Sequence, residues 1–177
     1  ESPGTKVFTI SGDVEKPGYY EVEMGTTLRE LIYDLAGGIK DGKKFKGVLI
    51  GGAAGTFVDE SVLDTPTGFD SLKEKGAVLG SGAVMVLAED KSIFDMTYST
   101  LKFFKHESCG KCVPCRVGTA HLVNLMKKAK ENPDQKRDIL NEMLSESEYI
   151  SRNSLCPLGQ SPILPIRSIV QYFQDQF

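Results

Sequence analysis

Apolar positions change their period about halfway along the chain. Before about residue 90 they form short alternating or continuous runs, and after it they recur every three or four residues. Val7-Phe8-Thr9-Ile10-Ser11 and Tyr19-Tyr20-Glu21-Val22 read as two strands of a hairpin. Gly12-Asp13 and Lys16-Pro17-Gly18 supply its turn chemistry, because Gly tolerates positive φ and Pro presets a negative one. Thr27-Leu28-Arg29-Glu30 has the form of a capping box, in which the hydroxyl and the carboxylate each take a free backbone amide. Leu28, Leu31, Ile32 and Leu35 follow at helical spacing, and Gly37-Gly38 ends the helix. Val48-Leu49-Ile50 and Ala83-Val84-Met85-Val86-Leu87 are later strands, the second expected to be buried throughout by its unbroken apolar run. Hairpin, helix and further strands predict a helix packed on a small mixed sheet, as in a β-grasp (ubiquitin-like) domain over residues 1–90.

Residues 91–177 predict four amphipathic helices. Ser92 caps the first, which carries Ile93, Met96, Thr97, Leu101 and Phe104. The second runs from about Val117 to Lys130 and buries Ala120, Val123, Leu125 and Met126. Asn132-Pro133-Asp134 starts the third, with Asn as cap, Pro at the first helical position, and Ile139, Leu140, Met143 and Leu144 inward. Ser161-Pro162 opens the fourth, with Ile163, Ile166, Ile169, Val170 and Phe173; Pro165 falls near its first turn, where a missing N–H costs little. Short links between amphipathic helices favour a four-helix bundle. The expected fold class is therefore α+β, a small β-grasp domain followed by a bundle.

Composition narrows the function classes. The 177 residues are 40% hydrophobic and 25% charged, ordinary for a globular protein. A formal net charge of −3 gives no general reason to expect nucleic-acid binding, and no run of eighteen apolar residues predicts a membrane span. The charge is split: residues 1–90 carry 9 Lys/Arg against 15 Asp/Glu, whereas residues 91–177 carry 12 against 9. The start, Glu1-Ser2-Pro3-Gly4, has neither an initiator Met nor a signal peptide and reads as the middle of a longer chain. Four cysteines, all in the second half, are too few and too local for a secreted disulfide scaffold and point to a reducing, cytoplasmic setting.

Those cysteines carry the candidate chemistry. Cys109, Cys112 and Cys115 are spaced C-x2-C-x2-C, and Cys156-Pro157 follows about forty residues later. Iron–sulfur clusters take four thiolates, and a tight triplet with a distant Cys-Pro is a ferredoxin-type spacing. Three thiolates reach three corners of one small cube only if the backbone curls around it. Gly110 permits the curl, and Pro114 is expected to stiffen it. The fourth corner needs a ligand from another segment, and Cys156, between the third and fourth helices, supplies it. A thiolate-bound cluster is anionic, so Lys111 and Arg116 are candidates to offset its charge and Ser108 to donate a hydrogen bond. Structural zinc also takes four cysteines, though commonly as two separated C-x2-C pairs. A zinc-stabilised binding or adaptor module is therefore the competing reading, with a disulfide pair as a third.

The string Glu107 to Thr119 (ESCGKCVPCRVGT), with Ser154-Leu155-Cys156-Pro157-Leu158-Gly159 downstream, resembles the NADH- and flavin-binding subunit of respiratory complex I. The same module occurs in NAD(P)-linked hydrogenases and NAD-dependent formate dehydrogenases. The resemblance covers the whole chain. Residues 1–90, with Ser11-Gly12-Asp13-Val14 in the hairpin, look like the family's soluble-ligand-binding β-grasp (SLBB) domain, and residues 91–177 like its iron–sulfur helical bundle. It implies that Cys109, Cys112, Cys115 and Cys156 ligate one [4Fe–4S] cluster. That cluster would take electrons singly from FMN, which NAD(P)H has reduced, and pass them to iron–sulfur subunits of a larger complex. The family's FMN and NADH sites lie in an N-terminal domain that this sequence does not include, so the chain alone is expected to carry electrons rather than oxidise NADH.

Other polar and aromatic positions have plainer readings. His106 is expected as a solvent-facing residue at a helix end, and His121 on a helix, partly exposed. Lys127, Lys128 and Lys130 read as a solvated face. Phe103-Phe104 is expected in the core, and Tyr98, Tyr149 and Tyr172 in packing. Gly51-Gly52-Ala53-Ala54-Gly55 reads as a loop rather than a phosphate cradle, because no strand–GxGxxG–helix unit surrounds it.

Overall fold

The computed structural model describes residues 3–177, in two compact units divided between Lys91 and Ser92. Together they make an α+β protein.

The first unit is a five-stranded mixed sheet. Its strands are β1 (Thr5–Gly12), β2 (Gly18–Glu23), β3 (Phe45–Ile50), β4 (Thr56–Val58) and β5 (Ala83–Ala88), in the order β2-β1-β5-β3-β4. β1 pairs antiparallel with β2, Phe8 opposite Tyr20, and parallel with β5, Ile10 beside Val84. Alternation decides the faces: Phe8 and Ile10 are buried and Val7 beside them is half exposed. The same pleat corrects the expectation for β5. Val84 and Val86 are buried, but Met85 between them is 38% exposed, because one face of this stretch meets solvent. At the end of β1 the chain turns through Gly12, at φ +86°, where any Cβ would collide with the Val86 backbone. The next residue, Asp13, donates its N–H to the Val86 carbonyl at 2.9 Å and accepts the Ala88 N–H on its carboxylate at 3.0 Å. Gly51–Gly55 is the turn of the β3–β4 hairpin, as its lack of a following helix foretold.

The capping box forms as the sequence predicts. Thr27 Oγ1 accepts the Glu30 N–H at 3.2 Å, and the Glu30 carboxylate accepts the Thr27 N–H at 2.8 Å. The helix then widens into a π-type turn over Glu30–Leu35, with the Ala36 N–H bonded to the Leu31 carbonyl five residues back. This extra residue per turn corrects the expected inner face: Leu28, Leu31 and Ile32 are buried, but Leu35 rotates outward and Ala36 takes its place. The Thr27 amide holds the Glu30 carboxyl below its ordinary 4.5. A depressed folded value means the contribution is complete above the unfolded value and is lost as the pH falls through the folded one. Glu30→Ala is therefore expected to lower the urea midpoint at neutral pH, and the gap from the parent chain to narrow at about pH 2.

The sequence patterns missed β4 and the short helix α1 (Phe69–Glu74). Each is shorter than one clear period, so periodicity has little to report there.

The second unit is helical. α2 (Ile93–Glu107) starts at Ser92, whose hydroxyl accepts the Asp95 N–H at 3.1 Å. α3 (Val113–Glu131) packs against α2 and α4 (Lys136–Asn153), and α4 also packs against α6 (Ile163–Tyr172). Leu101, Phe104, Leu122, Met126, Met143, Ile166 and Phe173 are among the buried apolar side chains. Each such side chain contributes about 1.5–3 kcal/mol of transfer free energy. Gly118 brings α3 close to α4, because a Cβ there would overlap the Ile150 side chain.

Several expectations for this unit change. α3 begins at Val113 rather than Val117, so Pro114 lies in its first turn and starts a helix instead of stiffening a loop. Asn132-Pro133-Asp134 begins a 3₁₀ turn, Pro133–Gln135, before α4, and the Asn132 side chain donates to the Lys128 carbonyl at the end of α3. A short helix, α5 (Pro157–Gln160), precedes α6. Phe104 is buried but Phe103 is 43% exposed, and Tyr149 is 61% exposed rather than packed. In each case the helix's single inward stripe leaves room for only one neighbour of the pair or turn. His106 and His121 are exposed, as expected. Among the described residues no helix is long and apolar enough to cross a membrane.

Candidate metal centre

Three chain segments meet at the cysteines. The first is the link from α2 to α3, where Gly110 adopts φ +77°. That left-handed residue turns the chain between Cys109 and Cys112 at no steric cost. The Arg116 guanidinium, one turn into α3, donates to the Gly110 carbonyl and closes the loop. The second is the start of α3 itself: Cys112 is its N-cap and Cys115 lies in its first turn. The third is the exit of α4, where Ser154 is the C-cap and Cys156 is the N-cap of α5, with Pro157 at the first helical position. Two cysteines therefore sit at the N-terminal end of the long helix α3, where free amides and the helix dipole favour negative sulfur.

The thiols differ in setting. Cys115 is buried, Cys112 is intermediate, and Cys109 and Cys156 are exposed; none is in a disulfide. The Leu155 N–H, then the Cys115 N–H, hold the Cys112 thiol below its ordinary value. The Leu155 contact ties the Cys156 segment to the triplet. Burial pushes the Cys115 thiol up. Ser108 opposes that shift, with its Oγ 3.3 Å from Cys115 Sγ, and the charges of Cys112, Cys156 and Cys109 reinforce it. The other three cysteines thus all act on Cys115, which is the arrangement expected of a shared anionic centre.

Among the described residues no three or more His, Cys, Asp or Glu side chains close to the spacing that a single ion needs. The site is also shaped by the absence of a side chain: a Cβ on Gly159 would meet Ser154 Oγ and Cβ and Cys115 Cβ. Glycine there lets α5 lie directly on the cysteine-bearing turn of α3.

Of the expected helpers, Ser108 reaches a cysteine sulfur. Arg116 serves first as the clasp of the loop. Lys111 lies exposed within the loop. His106 points to solvent, with its Nδ1 3.0 Å from the Glu107 carboxylate. Sequence reasoning missed Ser154, the Leu155 amide and Gly159. The only hint was their closeness to Cys156, because their proximity to Cys112 and Cys115 arises from helix packing.

Both units have counterparts in known proteins. Residues 95–177 match the NADH-ubiquinone oxidoreductase-F iron-sulfur binding region, and residues 7–54 match the SLBB domain. An F-type subunit of the NADH-quinone oxidoreductase of Rhizobium meliloti is 37% identical over 99% of this chain and 42% of its own length. NADP-reducing hydrogenase subunit HndC of Solidesulfovibrio fructosivorans is 37% identical over 99% of this chain and 36% of its own. A crystal structure of NAD+-reducing [NiFe]-hydrogenase in the H2-reduced state superposes with a TM-score of 0.81 at 28% identity, over 98% of this chain and 29% of that one. The chain thus spans about two fifths of the length of these curated relatives. The zinc-adaptor reading gains no support from any of these matches.

Proposed function

We propose, for a chain that carries an SLBB domain and then an NADH-ubiquinone oxidoreductase-F iron-sulfur binding region, that it is the electron-relay portion of an NAD(P)H-linked oxidoreductase. The observation that carries the reading is the convergence of Cys109, Cys112, Cys115 and Cys156 from three segments, two of them at the start of a long helix. These four are the ligands of one [4Fe–4S] cluster, which supplies one-electron chemistry when bound.

The protein's own groups do the rest. Backbone N–H groups favour the thiolate at Cys112, whereas burial opposes it at Cys115 until metal binds. Amides at the start of α3 and the Ser108 hydroxyl face the sulfurs and favour added negative charge. Arg116 holds the loop in register, and with Lys111 sets positive charge beside the site. Cys109 and Cys156 are exposed, so one side of the site is open to a redox partner. In the parent protein the donor is FMN reduced by NAD(P)H, bound in a flavin domain N-terminal to this chain. The acceptors are iron–sulfur partner subunits. The parent works in the cytoplasm or peripherally at the membrane's cytoplasmic face.

Anaerobic reconstitution of the chain is expected to yield about four irons per chain and an EPR signal on one-electron reduction. Stoichiometric zinc uptake with no iron would overturn the reading.

A further inference from the structure

Among the described residues, one buried side-chain polar atom has no hydrogen-bond partner, and it lies at the cysteine site: Ser154 Oγ. Its isolation contrasts with the rest of the helical unit. The buried hydroxyls of Thr97, Thr100, Thr119, Ser147 and Ser168 each donate to a carbonyl three or four residues back along their own helix. Ser154 has the same option, since its N–H already bonds the Ile150 carbonyl, yet its hydroxyl turns away. Its backbone is pinned on the other side too, with its carbonyl accepting the Gln160 side-chain amide at 3.0 Å. The hydroxyl therefore sits on a fixed residue, against the bare Cα of Gly159, where an added Cβ would meet both Ser154 and the Cys115 Cβ.

Buried hydroxyls are normally satisfied, and leaving one without a partner is unfavourable. A hydroxyl that forgoes its own helix carbonyl beside four converging thiols is placed for an acceptor that arrives with the metal. We propose that Ser154 is a tuning residue of the iron–sulfur site: its hydroxyl donates a hydrogen bond to the sulfur shell of the bound cluster and raises the cluster's reduction potential. This rests on the [4Fe–4S] reading above. One-electron reduction adds a negative charge spread over iron and sulfur, and a donor to sulfur stabilises the reduced form more than the oxidised one.

The test is an EPR-monitored redox titration of the reconstituted chain beside Ser154→Ala and Ser147→Ala. Ser147→Ala removes another buried hydroxyl from the same helical segment, but one that bonds the Leu144 carbonyl away from the cysteines. Ser154→Ala is expected to keep its iron and shift its midpoint potential to more negative values, with Ser147→Ala unmoved. Resonance Raman should show Fe–S(Cys) bands that respond to D2O exchange less in Ser154→Ala than in the parent. An unmoved potential in Ser154→Ala, an equal shift in Ser147→Ala, or loss of the cluster from Ser154→Ala would each overturn the inference. Failure of the parent chain to take up a cluster would overturn the underlying reading as well, so the two failures are distinct.

Discussion

Cys156→Ala is expected to abolish stable cluster binding, dropping iron from about four per chain to near none after desalting. The other three ligands lie within seven residues and share one curl of chain. A cube held by that curl alone leaves one iron corner open to water and buffer thiols. Cys156 is the only cysteine outside the triplet, and as N-cap of α5 its sulfur is placed by helix packing rather than by the loop. The apo fold should survive the change, because the Cys156 side chain is exposed and covers no core. Iron and sulfide analysis, with far-UV circular dichroism of the same samples, separates the two effects. A variant that keeps a full [4Fe–4S] complement would show that Cys156 is not the fourth ligand.

Gly159→Val should damage both the site and the fold. The atoms that a side chain would strike are Ser154 Oγ and Cβ and Cys115 Cβ. Two of the three are Cβ atoms fixed by their own backbones, so no rotamer change clears them. Either α5 moves off α3 or the junction is overpacked, at a cost of about 1–3 kcal/mol. Moving α5 carries Cys156 away from the triplet. The expected result is a lower urea midpoint for the helical unit together with reduced iron retention. Gly110→Ala makes a useful contrast, since a Cβ there is in ordinary contact with Arg116 and only the φ of +77° is strained. Its effect should fall on the loop and leave the helix packing intact.

Much of this was written along the chain. The C-x2-C-x2-C spacing and the later Cys-Pro declare a thiolate site on local grounds, because three ligands of one small object must be neighbours in sequence. The Thr27 capping box, the Ser92 cap and the inward stripes of the long helices were also legible, since each is an interaction within about one turn. What escaped were features whose cause lies across the fold. Leu35 turned outward because its helix widens by a residue, and Met85 because its strand shows one side to solvent. Pro114 proved to be a helix start because Cys112 takes the N-cap position.

By itself the sequence marked four cysteines as one candidate thiolate site and placed a β-rich half before a helical one, because spacing and periodicity are local properties of a chain. Only the tertiary structure decided what surrounds those cysteines. The Leu155 amide on Cys112, the bare Cα of Gly159 against Cys115, and the unpartnered hydroxyl of Ser154 all come from laying the α4–α5 corner on the start of α3. These contacts join residues about forty positions apart, and no local pattern encodes the approach of two helix ends; it follows from close packing of side chains in the core beneath them.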